Sequence, residues 1–296
     1  MGHARDANAN GRGQVSTINA NDTAEALAQK RAAAMQHIAE LESVVVAFSG
    51  GVDSTLLLAL CQEVLGRDRV LAVTVESAIH PCVERGRAAD LATDLGARHL
   101  VVDSDILDDP EFSANSSQRC YFCKRGIMRR LRAIADREGL AHVVHGANAS
   151  DLGDYRPGER AAAEAGARAP LQEAGLTKQD IRALSRQMGL PTWDLPSMAC
   201  LASRFPYGTS LTREGLARVD AAENYMRETF GLRQLRVRDH MPVARIEVPE
   251  DAIPRLVTEE ARTRIASHLK ELGYTYVTLD LAGFRSGSLN EVLEDR

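Results

Sequence analysis

Two groups of residues in this 296-residue chain have types and spacings suited to chemistry. The first is Ser49-Gly50-Gly51-Val52-Asp53-Ser54, between the apolar run 44–48 and a second apolar run from Leu56. Paired glycines let a backbone turn tightly and approach a ligand. The hydroxyls of Ser49, Ser54 and Thr55 and the Asp53 carboxylate fall where a helix N-terminus presents unpaired N–H groups. Free amides and the helix dipole favour phosphate there. No lysine precedes the last Ser/Thr as in a Walker A loop, and the dinucleotide Gly-x-Gly-x-x-Gly is absent. The second group is Cys120-Tyr-Phe-Cys123, flanked by Arg119, Lys124 and Arg125, with Cys200 far downstream in Ala199-Cys-Leu-Ala-Ser-Arg204.

The elements that must position these residues alternate. A strand at 44–48 leads through the glycine turn to a helix at 56–65. Strands follow at 70–75, 99–102 and 142–145, with helices at 83–95 and 128–138 between them. That order predicts an α/β fold, a doubly wound parallel sheet. Ligands bind beyond the carboxyl ends of such strands, so the ends after Val46, Val75, Val102 and His145 are expected to share one crevice. Gly146, after the fourth strand, falls on its nucleotide side. Residues 1–22, polar and aperiodic, read as a disordered tail, and 23–41 as an amphipathic helix. Thr177 with Asp180 caps a helix over 177–188, ended by Gly189-Leu190-Pro191. The segment 191–208 reads as a junction. A helix at 212–229, strands at 234–237 and 244–248, a helix at 254–272 and a strand at 274–280 predict a smaller C-terminal α+β domain. The expected domains are 23–203 and 204–296.

Hydrophobic content of 44% and charged content of 26% suit a soluble globular protein. A net charge of −5 and a pI near 5.9 give no global basic footprint for nucleic acid. No apolar run reaches membrane-spanning length and no signal-peptide core is visible, so a cytoplasmic location is expected. Five cysteines in such a chain argue for metal or catalytic use rather than a disulfide framework. Cys61 lies in an apolar helix and reads as a buried hydrophobe; Cys82 reads as a bystander. A redox dithiol would open a helix directly after a first strand, which Cys120 and Cys123 do not. A zinc site would need a fourth ligand, with His80, His142 or His145 as candidates. An iron–sulfur cluster on Cys120, Cys123 and Cys200 would leave one iron open, since clusters normally take four cysteines. The residues leave zinc and iron both open.

The hexapeptide resembles the pyrophosphate loop of the N-type ATP pyrophosphatases (the PP-loop superfamily), which cleave ATP between the α and β phosphates and adenylate a substrate. Further blocks narrow the match: Arg119-Cys-Tyr-Phe-Cys-Lys124, Gly153-Asp-Tyr-Arg-Pro-Gly158, Leu190-Pro-Thr-Trp-Asp194, Ala199-Cys-Leu-Ala-Ser-Arg204, Pro206-Tyr-Gly208, Arg236-Val-Arg238 and Phe284-Arg-Ser-Gly287. Over residues 25–293 the chain is similar to the ATP-dependent sulfur transferase (LarE) family of nickel-pincer nucleotide biosynthesis. The resemblance implies adenylation of a carboxylate of pyridinium-3,5-biscarboxylic acid mononucleotide. Pyrophosphate leaves, and sulfur insertion then gives a thiocarboxylate and AMP. ATP and Mg2+ are implied at Ser49, Gly50, Gly51, Asp53, Ser54 and Gly146. Some members sacrifice the sulfur of the cysteine matching Cys200. Others bind a [4Fe-4S] cluster through cysteines matching Cys120, Cys123 and Cys200, and the presence of all three favours that type. Cys200 is required in both schemes.

Arg236 and Arg238 alternate along a strand, share a face and suit a phosphate or carboxylate. They match family substrate-binding arginines, as does Arg285; Glu223 is carried over with them. Arg204 suits anion binding or capping of the junction. Asp154 and Tyr155 read equally as turn formers, and Trp193 as core. A homo-oligomer is implied by the resemblance. Three other readings compete. A tRNA 2-thiolation enzyme shares the loop and three cysteines but would carry a basic face. An amidating ATP pyrophosphatase would leave the cysteines incidental. A zinc-stapled nucleotide-binding module would bind ATP without releasing pyrophosphate.

Overall fold

The computed structural model describes residues 20–84, 86–152, 156–196, 199–285 and 287–291. Helix α1 (Ala20–Ala39) leads into strand β1 (Val44–Ala47), then α2 (Val52–Leu65), β2 (Val70–Glu76), α3 (Arg87–Asp94) and β3 (Arg98–Asp103). Next come α4 (Pro110–Ser113), α5 (Arg119–Glu138), β4 (His142–Val144), α6 (Pro157–Glu164), α7 (Pro170–Glu173) and α8 (Lys178–Gln187). These strands form a parallel sheet in the order β3-β2-β1-β4. Successive side chains of a strand face opposite sides. Val44 and Val46 accordingly pack with α1, α2 and α8, whereas Val45, Leu71, Val73 and Val143 pack with α5 and α6. Both faces are covered, which is why β1 is apolar at consecutive positions.

The second part comprises α9 (Arg213–Phe230), β5 (Arg236–His240), β6 (Val243–Glu247), α10 (Ile253–Leu256), α11 (Glu259–Glu271) and β7 (Tyr276–Leu279). β5 and β6 pair antiparallel and β7 joins β6 in parallel. Met226, Val237, Ile246, Ile265, Leu269 and Tyr274 form its core. Between the sheets, Ile79, Ile106 and Phe112 share a cluster with Leu201, Phe205, Leu216 and Val219. The short 3-10 turn Leu201–Arg204 therefore lies in a continuous apolar contact between the two parts.

Several elements depart from the sequence expectation. α1 begins at Ala20, inside the stretch read as a tail; residues 1–19 of that tail lie outside the described residues. α5 begins at Arg119 rather than Met128, so Cys120 and Cys123 stand in its first turns. The run 119–126 mixes Cys, Tyr and Phe with Arg and Lys in no helical period, which hides this start, and Gly126 weakens local helix propensity; packing against α4 and α6 supplies the order. The helix expected over 83–95 divides into a turn at Cys82–Glu84 and α3. The one expected over 254–272 breaks where Thr258 caps α11. Trp193, expected in the core, is 38% exposed with Arg186 over its ring, 5.0 Å from the centroid.

Candidate functional site

The backbone leaving β1 continues the ladder through Phe48, whose N–H donates to Val73 O at 2.9 Å, and then turns. Gly50 takes φ +69°, whereas Gly51 is extended (φ −81°, ψ 168°) and caps α2 without any side-chain hydrogen bond. Only the first glycine is thus needed for its dihedrals. The turn is tied internally: Ser49 N donates to Ser54 Oγ at 3.3 Å, Ser54 Oγ to Gly51 O at 3.1 Å, and Gly51 N to Ser49 Oγ at 3.3 Å. The uncapped start of α2 offers its amides to an anion.

Gly146 approaches this turn from β4. A Cβ there would lie 3.0 Å from Ser54 N and 3.1 Å from both the carbonyl carbon and Cβ of Asp53. Lys178, at the start of α8, donates from Nζ to Asp53 Oδ2 at 2.5 Å. The other carboxylate oxygen, Asp53 Oδ1, is buried without a hydrogen-bond partner. That orphaned acceptor suits a hard cation.

These groups open onto a cavity of 570 Å³ lined by Phe48, Ser49, Asp53, Ser54 and Lys178, with Thr74 and Glu76 at the end of β2, His80 and Glu84 beyond it, and His145 to Asn148 after β4. The ends of β1, β2 and β4 therefore converge as expected. The end of β3 does not line the cavity, because β3 is the sheet edge, beyond β2. Lys124 and Glu159 complete the wall. Burial pushes the Lys124 ammonium down and the Glu159 carboxyl up, each opposed by the other's charge. Burial, with Lys124 adding to it, lowers His145 to about 3, so its imidazole is neutral. His142 stands at the opposite end of β4, where its N–H donates to Ser43 O.

The three cysteines gather beside this cavity. Cys120 and Cys123 lie in the first turns of α5. Burial pushes Cys123 up to about 12, and the neighbouring charges of Cys200 and Cys120 add to the rise. Cys120 has an exposed surface, yet the protein around its sulfur and the charge of Cys200 also raise it, against Arg119, which donates a hydrogen bond to it. Arg119 is itself buried. Its Nη1 donates to Asn115 Oδ1 at 2.6 Å, and its guanidinium lies 4.9 Å from the Tyr207 ring centre. Asn115 takes φ 52° and ties this corner to the second part through Nδ2 to Pro206 O. Cys200 does not line the main cavity. Its turn adjoins the wall, because Leu201 N donates to Ile79 O at 2.8 Å, next to the lining residue His80. Among the described residues, no three of His, Cys, Asp and Glu are grouped as ligands of a single metal ion. Cys61 is fully buried; Cys82 is exposed, with its N–H held by Asp220 and its sulfur by Asn224 Nδ2.

The arginines fall into two kinds. Arg236 lies 4.6 Å from the Phe284 ring centre and lines a narrow cleft with Arg204, Arg227, Arg233 and Ala199. Burial, with Arg238 and Arg204 adding to it, lowers Arg236 to about 10. Arg238 is 1% exposed and grips both oxygens of Glu247 at 2.9 and 2.8 Å, with Nη1 on Ser203 O at 2.6 Å. Glu223 is wholly buried and accepts from Arg204, Arg227 and Val237 N. Arg285 pairs with exposed Glu291 at 2.6 Å. Asp154 and Tyr155 lie outside the described residues.

In the sequence Lys178 has no assigned role, and Lys124 stands only as a flank of the cysteine pair. Lys178 directly follows the helix cap Thr177, a position aimed at the neighbouring α2 terminus. Lys124 is one helical turn beyond Cys120, a relation that follows only from α5 beginning at Arg119.

Residues 27–138 match the NAD synthase family model. The chain is 43% identical over 267 residues to pyridinium-3,5-bisthiocarboxylic acid mononucleotide synthase of Lactiplantibacillus plantarum, covering 90% of this chain and 96% of that protein. It is 41% identical over 258 residues to an uncharacterized protein of Synechocystis, covering 87% of this chain and 96% of the other. Argininosuccinate synthase of Natronomonas pharaonis is 31% identical over 162 residues, covering 50% of this chain and 39% of that enzyme.

Proposed function

The chain belongs to the family of pyridinium-3,5-bisthiocarboxylic acid mononucleotide synthases, and from that premise we propose how its residues divide the work. The reaction is ATP-dependent sulfur transfer to a pyridinium dicarboxylate mononucleotide. A substrate carboxylate oxygen attacks the α-phosphorus of ATP. The bond to the bridging oxygen breaks, and pyrophosphate leaves with that electron pair. Ser49, Gly50, Gly51 and Ser54 cradle the departing phosphates at the start of α2, and Gly146 permits the close approach. Lys178 sits where it can exchange Asp53 for a phosphate oxygen. Asp53, with its unpaired oxygen, would hold Mg2+, which neutralises phosphate charge when bound.

The acyl-adenylate is then open to a sulfur nucleophile. Sulfur attacks the acyl carbon, the carbon–oxygen bond breaks, and AMP leaves. The gathering of three thiols at one edge of the nucleotide cavity is the observation that carries this half of the proposal. Cys120, Cys123 and Cys200 fit a [4Fe-4S] cluster by donor type and would hold it through three thiolates; when bound, it would supply sulfur at the sulfide level. Arg236 and Arg285 take the anionic groups of the substrate. Arg238 and Glu223, engaged with Glu247 and Arg204, shape that site from beneath. A homo-oligomer is the proposed assembly, with exposed Tyr276 on β7 and Leu281 just after it as its apolar surface.

The experiment is anaerobic reconstitution followed by mass spectrometry of products from ATP and the dicarboxylate nucleotide. Iron-dependent turnover with added sulfide, lost in Cys120→Ala and Cys200→Ala, is the expected result. A single turnover that converts Cys200 to dehydroalanine would assign the sulfur to that side chain instead. Absence of both acyl-adenylate and thiocarboxylate refutes the proposal.

A further inference from the structure

We propose that Arg204 is a positioning residue that fixes the Cys200 turn onto the strand carrying Arg236, an inference that rests on the sulfur-transfer reading above. Arg204 is 3% exposed, so its guanidinium is not an open anion site. One edge of it binds both oxygens of Glu223, at 2.8 and 2.9 Å. Nη1 faces the other way and donates to Ala199 O at 2.6 Å, Cys200 O at 3.1 Å and Ser203 Oγ at 3.0 Å. The guanidinium therefore clamps the backbone on either side of the reactive cysteine.

Glu223 extends the clamp to the substrate strand. It is completely buried and also accepts from Val237 N at 3.0 Å, the residue between Arg236 and Arg238. Arg238 makes the return connection through Nη1 to Ser203 O at 2.6 Å. Two hydrogen-bonded paths thus join the Cys200 turn to β5, both through planar forks whose geometry a lysine cannot reproduce. A buried ion pair gives weak net stabilisation against an apolar pair of similar volume. Its use here is registry: it holds the sulfur-bearing turn at a set distance from the group that binds the substrate anion.

The test compares Arg204→Lys with the full-length wild type under reducing, chelated conditions. The first readout is iodoacetamide alkylation of Cys200 relative to Cys82, followed by peptide mass spectrometry. Cys82 is exposed and rests on α9, the helix that carries Glu223, so it reports general loosening of that helix. The expected result is a rise of about tenfold in the Cys200 rate alone, as loss of a charged hydrogen bond allows. The second readout separates the half-reactions. Pyrophosphate release should stay within about twofold, while sulfur transfer slows about 100-fold through misplacement. Glu223→Gln keeps the shape but replaces one acceptor oxygen with an amide NH2 that cannot accept from an arginine, which breaks part of the fork; it should also raise Cys200 labelling relative to Cys82, and it serves if Arg204→Lys does not fold. An unchanged ratio of Cys200 to Cys82 labelling overturns the proposal, as does an equal rise at both thiols. If the wild type forms no acyl-adenylate, the functional reading fails, whereas the labelling ratio still decides the clamp.

Discussion

Gly146→Ala puts one methyl group between β4 and the nucleotide turn. The new Cβ would lie 3.0 Å from Ser54 N and 3.1 Å from two atoms of Asp53, 0.3 to 0.4 Å short of the 3.4 Å at which ordinary contact begins. Two of the three atoms belong to the backbone of α2's first turn, so no rotamer change relieves the overlap. The turn must move away from β4. Overpacking of this kind costs about 1–3 kcal/mol, and a chain of this size should lose about 2–5 °C in Tm. The displaced groups include the amides proposed above to receive phosphate, so kcat/KM for pyrophosphate release should fall about tenfold. Gly51→Ala is the matched control: its backbone is extended and its Cβ would meet only Ser49 Oγ, at 3.3 Å. Its Tm should shift by less than about 2 °C. The assay is calorimetry alongside pyrophosphatase-coupled phosphate detection. A Gly146→Ala protein with wild-type Tm and wild-type kinetics would refute the steric argument.

Three further outcomes are expected. Lys178→Met removes a partly exposed pair with Asp53 that contributes at most about 1 kcal/mol, so Tm should barely move; pyrophosphate release should slow about 100-fold, as for loss of a charged group at a developing anion. Glu247→Ala leaves Arg238 buried at 1% exposure without its carboxylate, and urea unfolding should show a loss of about 3–5 kcal/mol. Burial lowers His145 to about 3, and lowers His99 and His240 as well. Unfolded imidazoles take up protons near pH 6.5 and the folded ones only at lower pH, so stability falls as pH drops below about 6.5, with a slope of up to about 1.4 kcal/mol per pH unit for His145. His145→Asn should flatten the urea midpoint between about pH 5 and 6.5; an unchanged slope would place the proton uptake elsewhere.

The parts of the fold that announce themselves in the sequence are those with a local cause. Buried β1, the glycine turn and the Thr177 cap each depend on residues within a few positions of one another. The start of α5 has no such cause. Its first turns mix Cys, Tyr and Phe with basic residues in no helical period and contain Gly126, and tertiary packing makes them helical. The same gap hid the turn-to-turn relation of Lys124 to Cys120. The paired arginines illustrate a different loss of information. Spacing places Arg236 and Arg238 on one face, but their fates depend on distant partners: Glu247 and Ser203 engage Arg238, and Phe284 covers Arg236. Glu223 likewise carries no local mark of being wholly buried beneath three donors.

Helix α5 carries two thiols and Lys124 within five consecutive positions, and four residues of helix advance only about 6 Å. The nucleotide wall and the thiol cluster are therefore marks on a single rigid rod. What anchors the rod is neither of them: Met128, Leu131 and Ala135 are buried against the sheet further along. Replacing Cys120 and Cys123 would leave Lys124 and the cavity where they are. On the proposed division of work, the means of supplying sulfur is thereby separable from the means of activating the carboxylate.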